Sequence, residues 1–412
     1  MNKVKSIRGM HDLLGEDYFI RKKVIKIFEA VSNNFNFKPI DTPIMEFDEI
    51  FNRTLGLSSD VVMKEMYTFV DRSNDKLTLR PEGTAGIARA IISNGLTQNI
   101  PLKYFYYGPM FRYERPQKGR LRQFTQVGVE VYSRSGIEKD FEVVYLAANF
   151  LKSLNILDNI ILKINNLGNL EDRNIYKNIL KEYYLQHKKK LSKESIIRLE
   201  KNPLRILDSK SSEDVEVNRC APNINEILSK QSKNNFSKLK KILEDFNISF
   251  QEDPFLVRGL DYYSNTIFEY TLKKNSKFAI LAGGNYDNLV YDLGGPRLSG
   301  TGWAAGLERL TSLVNLKYNK SELILIIPME EKFLNLAYKI RKELLNSSYS
   351  TDVHIDKNLK KSLKYANKIE ASYAIILGEE EEKKEIYTIK NLNTGVQSKV
   401  KKKLILEFFN ND

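Results

Sequence analysis

Arg258, Asp261, Tyr262 and Tyr263 crowd around one glycine in the run Leu256–Tyr270 (LVRGLDYYSNTIFEY). A guanidinium is a planar fork of donors matched to phosphate or carboxylate, and a phenol offers both a stacking face and a hydroxyl. Phe255–Val257 and Thr266–Tyr270 have the β-branched and aromatic content of strands. The spacing therefore predicts a polar turn between two strands at the lip of a cleft. For a Tyr-Tyr pair taken alone, a surface hairpin capping the core is the alternative.

A second run, Phe111–Tyr132 (FRYERPQKGRLRQFTQVGVEVY), sets Arg112, Arg115, Lys118, Arg120 and Arg122 against Glu114 alone, five basic residues to one acidic in eleven positions. Such a loop suits phosphate, and Pro116 and Gly119 keep it irregular. Phe124, Val127, Val129 and Val131 read as one face of a following half-buried strand, with Gln126, Gly128 and Glu130 on the other. Gly128 leaves room there for a small polar ligand. A solvated basic hairpin would explain the charges but not the Gln and Glu at a period of two.

Thr301–Leu313 (TGWAAGLERLTSL) reads as a strand, Gly306 at a junction, then a helix with Leu307, Leu310 and Leu313 inward and Arg309 in the first turn. The glycines of Gly300-Thr-Gly302 do not make a dinucleotide fingerprint, because the third comes one residue late, at Gly306, and no acidic partner follows about twenty residues on. No GxxxxGK[ST] string occurs, so the phosphate site is not a P-loop. In Leu79–Thr84 (LRPEGT), Glu82 and Thr84 flank Gly83 after a strand over Lys76–Leu79. A carboxylate with a hydroxyl suits a cationic amine, though a plain turn also fits so short a string.

These strings resemble the signatures of histidyl-tRNA synthetases: the Arg258 run closely, the basic run and the Arg309 run as motifs 2 and 3 of class II synthetases. The opening Ile7–Asp12 (IRGMHD) matches as well, and Phe37–Phe47, broken by Pro39 and Pro43, is similar to motif 1. The resemblance implies an α+β fold with an antiparallel class II sheet and flanking helices. It implies ATP as substrate with Mg²⁺, L-histidine and tRNA(His) as partners, and a homodimer built through Phe37–Phe47. By the same resemblance, Arg112 and Arg258 are catalytic and bracket the α-phosphate, Arg309 meets the γ-phosphate, and Glu114 and Arg120 complete the ATP site. Glu82, Thr84 and Gln126 would hold the substrate ammonium. Glu130 and Tyr263 would read the imidazole nitrogens, with Gly83 and Tyr262 in the same pocket. Gln117 and Arg122 would meet the acceptor end of tRNA. The chain departs from the family's usual AGGRYDGL at Asn285 and Asn288, which replace arginine and glycine. Catalytically silent relatives that regulate histidine biosynthesis are the alternative, but they typically lack the Arg258 turn and a carboxyl-terminal domain, and both are present here.

The chain has 412 residues, enough for two or three domains. By the resemblance, 1–320 is the catalytic domain, interrupted from about 168 to 248 by a helical insertion containing Asn202–Lys210 (NPLRILDSK), and 321–412 is an α/β anticodon-binding domain. Leu180–Lys193 reads as a solvated helix face. Leu323–Pro328, Phe333–Leu345 and Tyr373–Leu377 read as strand, helix and strand, and the Lys401–Lys403 run as a solvated tail segment. A net charge of +13 suits a polyanion, although Lys, Asn and Ile enrichment along the whole chain would produce it too. One cysteine, Cys220, excludes a disulfide framework. Three scattered histidines leave no recognisable protein-ligated zinc site. Charged first residues and the lack of a bilayer-length apolar run predict a cytoplasmic protein without a membrane span.

Overall fold

Alternate residues of neighbouring strands divide the central sheet into two unlike faces, and that division decides where a ligand can lie. In the computed structural model, residues 4–56, 59–117, 119–134, 136–317 and 322–410 are described, the side chains of 275–277 and 410 excepted; Lys118 lies outside them. Contacts split the chain into two units, Met1–Leu316 and Lys317–Asp412.

The first unit carries strands β1 (Lys38–Pro39), β2 (Met45–Phe47), β3 (Tyr67–Val70), β4 (Lys76–Leu79), β5 (Leu102–Phe111), β6 (Gln123–Ser133), β7 (Ile160–Asn166), β8 (Phe250–Glu252), β9 (Ser264–Leu272), β10 (Asn275–Tyr286) and β11 (Ser299–Gly306). Eight of them form one sheet in the order β1-β5-β6-β11-β10-β9-β7-β8, and β2-β4-β3 form a second. The pairs from β5 across to β7 are antiparallel; the two edge pairs, β1 with β5 and β7 with β8, are parallel.

On one face Val127, Val129, Val131, Phe268, Leu281 and Trp303 pack with Val24, Phe28 and Val31 of the helix Gly15–Asn34 and with Val143, Ala147 and Phe150 of the helix Glu138–Ser153. The other face holds Tyr106, Tyr132, Ile267 and Tyr286, with residues of the helix Thr84–Ser93. Strand β6 is thus buried on both faces rather than half-buried. Phe124, grouped with the valines in the sequence, has the parity of Gln126 and falls on their face instead. The run Phe255–Val257 is not a strand: it follows a turn in which Leu256 donates to the Asp253 carbonyl at 2.9 Å, and the Asn165 side chain donates to the Pro254 and Leu256 carbonyls.

The insertion is helical, with Leu170–Gln186, Lys193–Lys201, Ser212–Asn218 and Lys230–Asp245. Its first helix buries Tyr176, Leu180 and Tyr184, so the Leu180–Lys193 run is not a wholly solvated face; the helix ends at Gln186 and Lys188–Lys190 follow it in a short 3-10 turn. The helical spacing of aromatic and leucine side chains is the cause.

In the second unit, β12 (Leu323–Pro328), β13 (Ser350–Val353), β14 (Tyr373–Leu377), β15 (Ile386–Asn391) and β16 (Gln397–Lys401) make a sheet ordered β13-β12-β14-β15-β16. The first three strands run parallel and the last two antiparallel. Helix Leu334–Asn346 covers the face of Ile324 and Ile326, and helix Leu359–Lys368 the face of Leu325 and Ile327. A strand covered on both sides reads as a continuous apolar run, as β12 does.

Trp303 ties the helix layer to the sheet. It is fully buried, stacks parallel to Phe150, meets Phe28 edge-on, and donates from Nε1 to the Val143 carbonyl at 2.9 Å. Trp303→Ala should cost about 3–5 kcal/mol of unfolding free energy, read from urea melts. A loss below about 1 kcal/mol would mean that the layer does not depend on this contact.

Candidate active site

Small residues make the second sheet face shallow. Across the register, Gly128 pairs with Ala304, Glu130 with Gly302, Gln126 with Gly306, and Ala282 with Ala304. Above this floor lies a cavity of about 840 Å³, lined among others by Glu82, Thr84, Arg112, Glu114, Gln117, Arg120, Gln126, Arg258, Tyr262, Tyr263 and Arg309. The structure thus brings together most residues singled out in the sequence, drawn from four separate stretches of chain.

Glu130 sits beneath the floor, fully buried. Thr84 Oγ1 donates to its Oε1 at 2.6 Å, and the Tyr286 hydroxyl donates to its Oε2. Burial outweighs these hydrogen bonds and pushes the Glu130 carboxyl up to about 8. Glu82 accepts from the backbone N–H groups of Thr84 and Ala85, both at 2.8 Å, so the loop folds its own start of helix around the carboxylate. Burial still holds Glu82 above its ordinary value. Gln126 Oε1 is buried without a hydrogen-bond partner among the described residues. Gly83 is not a lining residue but a space-maker: a Cβ there would lie 2.3 Å from the Tyr106 ring. Tyr106 falls in no motif, and Tyr286, in the same string as Asn285 and Asn288, carries no role in the sequence reading. Both are buried tyrosines facing the carboxylates, and only the sheet register reveals them.

The cationic wall is built differently. Arg112 donates from Nε to the Pro81 carbonyl at 2.9 Å and lies over the Phe124 ring. Arg309 is clamped by the Gly119 and Ala279 carbonyls at 3.0 and 2.7 Å. Arg258 pairs with Glu269 at 3.3 Å. Burial alone would lower the Arg258 guanidinium, but Glu269 and Tyr263 outweigh it and hold the value up. Arg120 reaches Glu114 at 3.3 Å. Arg122 stands apart from the cavity lining, 3.8 Å above the Tyr113 ring. Glu65, also in the lining, is raised by burial first and then by Glu114.

Asn285 does not face the cavity. Its side chain donates to Asp140 and Thr301 on the helix side at 3.3 and 3.1 Å and accepts from Ser264 at 3.1 Å. Asp140 thus lies in a buried hydrogen-bonded network with Asn285 and Thr301, and burial raises that carboxyl against the pull of Lys139. Asn288 precedes the short helix Leu289–Asp292, and its carbonyl accepts from Asp292 N–H at 2.8 Å.

With this geometry in hand, the chain was compared with known proteins. Residues 9–310 match the family model described as histidyl-tRNA synthetase, and residues 323–412 match an anticodon binding domain. A histidine–tRNA ligase of Rhodospirillum rubrum is 44% identical over 99% of this chain and 99% of its own length. One of Gluconobacter oxydans is 42% identical over 97% of each. The structure of an apo histidyl-tRNA synthetase from S. aureus superimposes with a TM-score of 0.81 at 29% identity, covering 99% of this chain and 100% of that one. Motif strings, sheet topology and near-complete coverage of these relatives agree, and this chain belongs to the histidyl-tRNA synthetase family.

Proposed function

We propose that the chain is an ATP-dependent histidine–tRNA ligase. It activates L-histidine to histidyl-adenylate and then transfers the histidyl group to the 3′-terminal adenosine of tRNA(His). The observation that carries this reading is one cavity lined by two unlike sets of groups. Glu82 and Gln126, over the buried Glu130, offer acceptors that no ion pair reaches among the described residues, and Arg112, Arg258 and Arg309 line the same cavity. An amino acid with a cationic amine and a basic ring, lying beside a triphosphate, satisfies both.

Glu82, Thr84 and Gln126 take the ammonium. Thr84 spends its hydroxyl proton on Glu130, so toward an ammonium it presents oxygen lone pairs. Glu130 accepts from one imidazole nitrogen and Tyr263 meets the other, which excludes side chains unable to satisfy both. The histidine carboxylate oxygen then attacks the α-phosphorus in line; the bond to the bridging oxygen breaks and pyrophosphate leaves. Arg112 and Arg258 stabilise charge on the α-phosphate, and Arg309, fixed by two carbonyls, meets the γ-phosphate. Glu114 and Arg120 hold the remainder of ATP. Mg²⁺ brought with ATP would supply charge neutralisation at the leaving pyrophosphate, and Glu65 and Glu114 are the cavity carboxylates that would hold it. Among the described residues no cluster of three ligating side chains forms a dedicated metal site. In the second step the terminal ribose hydroxyl attacks the carbonyl, AMP leaves, and its phosphate oxygen takes the proton. Gln117 at the rim and Arg122 outside it meet the acceptor end.

The homodimer belongs to this reading. Ile44, Met45 and Phe47, in the segment like motif 1, are 43%, 53% and 54% exposed in the single chain, an apolar edge that a second copy would cover. No helix among the described residues is long and apolar enough to cross a membrane, and we place the enzyme in the cytoplasm with its tRNA. Light scattering should give the mass of two chains, and Phe47→Glu should shift it toward one; an active monomer would contradict the assembly.

Arg258→Ala should slow histidine-dependent pyrophosphate exchange roughly a hundredfold or more, with a much smaller rise in KM for histidine. Lysine should rescue only in part, because an ammonium lacks the planar fork. Near-normal turnover in folded Arg258→Ala would make the loop structural.

Glu130 also sets a pH dependence. Its carboxyl rises from an ordinary 4.5 to about 8 on folding. Between these values the folded chain binds more protons than the unfolded one, so stability is full at the acid end and declines as pH rises. Glu130→Gln cannot ionise. Between pH 5 and 8 the wild type should therefore lose on the order of 3 kcal/mol relative to the variant in urea melts. Parallel pH profiles would contradict the burial of this carboxyl in its protonated form.

A further inference from the structure

The string Asn202–Lys210 in the insertion has no part in the reaction as described, yet it is packed against the loop that carries Arg258. Residues 253–263 contain no helix or strand. No ladder therefore holds the Arg258 backbone, and side chains must fix it instead.

Before Arg258 the Asn165 side chain holds the Leu256 carbonyl; after it the side chains come from the insertion, beside one backbone bond from Asp261 N–H to the Leu55 carbonyl at 3.3 Å. Arg205 Nη1 donates to the Gly259 carbonyl at 2.8 Å, and its Nη2 donates to Asp60 Oδ2 at 2.9 Å, so one guanidinium joins the loop to the segment before Val61–Glu65. Asn202 Nδ2 donates to Asp261 Oδ1 at 2.8 Å. Arg173 donates to the Tyr263 carbonyl. Residues 259, 261 and 263 are thus each gripped from the insertion, immediately after Arg258. Arg205 is 9% exposed and its bridge to Asp60 is shielded, unlike an ordinary surface pair. Asp208, from the same string, lines the cavity and adds negative charge near Arg258.

We infer that Asn202 and Arg205 are positioning residues for the adenylation step: they hold the 258–263 loop so that the Arg258 guanidinium meets the α-phosphate, without touching substrate themselves. This rests on the reading of Arg258 given above. It also assigns a task to the insertion, since a displacement of it would be transmitted to the Arg258 loop through the contacts of Arg205, Asn202 and Arg173.

A double-mutant cycle in pyrophosphate exchange tests it, using Arg205→Ala, Arg258→Ala and the pair in the full-length protein. Arg205→Ala should lower kcat on the order of tenfold, the scale of a misplaced catalytic group, with a smaller change in KM for ATP. In the Arg258→Ala background it should cost nothing further, because it acts through that residue. Equal losses in both backgrounds, or an unchanged kcat, would overturn the inference. If Arg205→Ala does not fold, Asn202→Ala enters the same cycle with the same outcomes. Amide hydrogen exchange supplies a readout independent of activity: Arg205→Ala should raise exchange at 259–263 while the sheet stays protected, and unchanged protection there would overturn the proposal. A wild-type protein without histidine-dependent exchange would instead refute the ligase reading and leave the hydrogen-exchange result standing.

Discussion

Two carboxylates buried without a cation are the constraint on which the site depends. Glu82 and Glu130 both lie almost wholly out of water, burial raises both, and among the described residues neither has an ion pair. Burying an unpaired carboxylate is costly. The fold tolerates it by giving Glu82 two backbone donors and Glu130 two hydroxyl donors. Glu130 offsets the rest of that cost by holding its proton up to about 8, and a cation bound beside Glu82 would complete that group.

The rest of the sheet serves to make that burial possible. A Cβ at Gly302 would fall 1.8 Å from Glu130 Oε2, and one at Gly128 would fall 2.5 Å from the Tyr106 ring. These glycines are gaps into which the carboxylate and the tyrosine fit. The opposite face, with Trp303 and the valines of β6, is close-packed and supplies the rigidity that a pre-formed charge pattern needs. Asn285, where the family's usual residue is arginine, belongs to that packed side and is not among the residues that line the cavity.

Much of this was legible in the sequence because the chemistry is concentrated in short strings. Arg258 stands beside a glycine, Arg112 and Arg309 stand in short runs broken by glycine or proline, and strand parity put Gln126 and Glu130 on one face. What escaped detection was non-local. Tyr106 and Tyr286 are ordinary strand tyrosines until pairing brings them to Glu130. Phe255–Val257 has strand-like composition, but Asn165, nearly a hundred positions earlier in the chain, captures its carbonyls. Leu180 and Tyr184 looked solvated among lysines because their partners are also in the insertion, brought together only by folding. The Asn202–Lys210 string was recognisable, but its grip on Gly259 and Asp261 was not.

The most direct test of the central claim is to ask which part of the amino acid relieves the buried charge. Thermal shift and calorimetry should be run with L-histidine, with histamine, which keeps the ammonium and imidazole but lacks the carboxylate, and with imidazole-4-propionate, which lacks only the ammonium. The account predicts that L-histidine and histamine stabilise the protein and that imidazole-4-propionate does not. Equal stabilisation by imidazole-4-propionate would show that Glu82 does not wait for a cation, and would contradict the account at its centre.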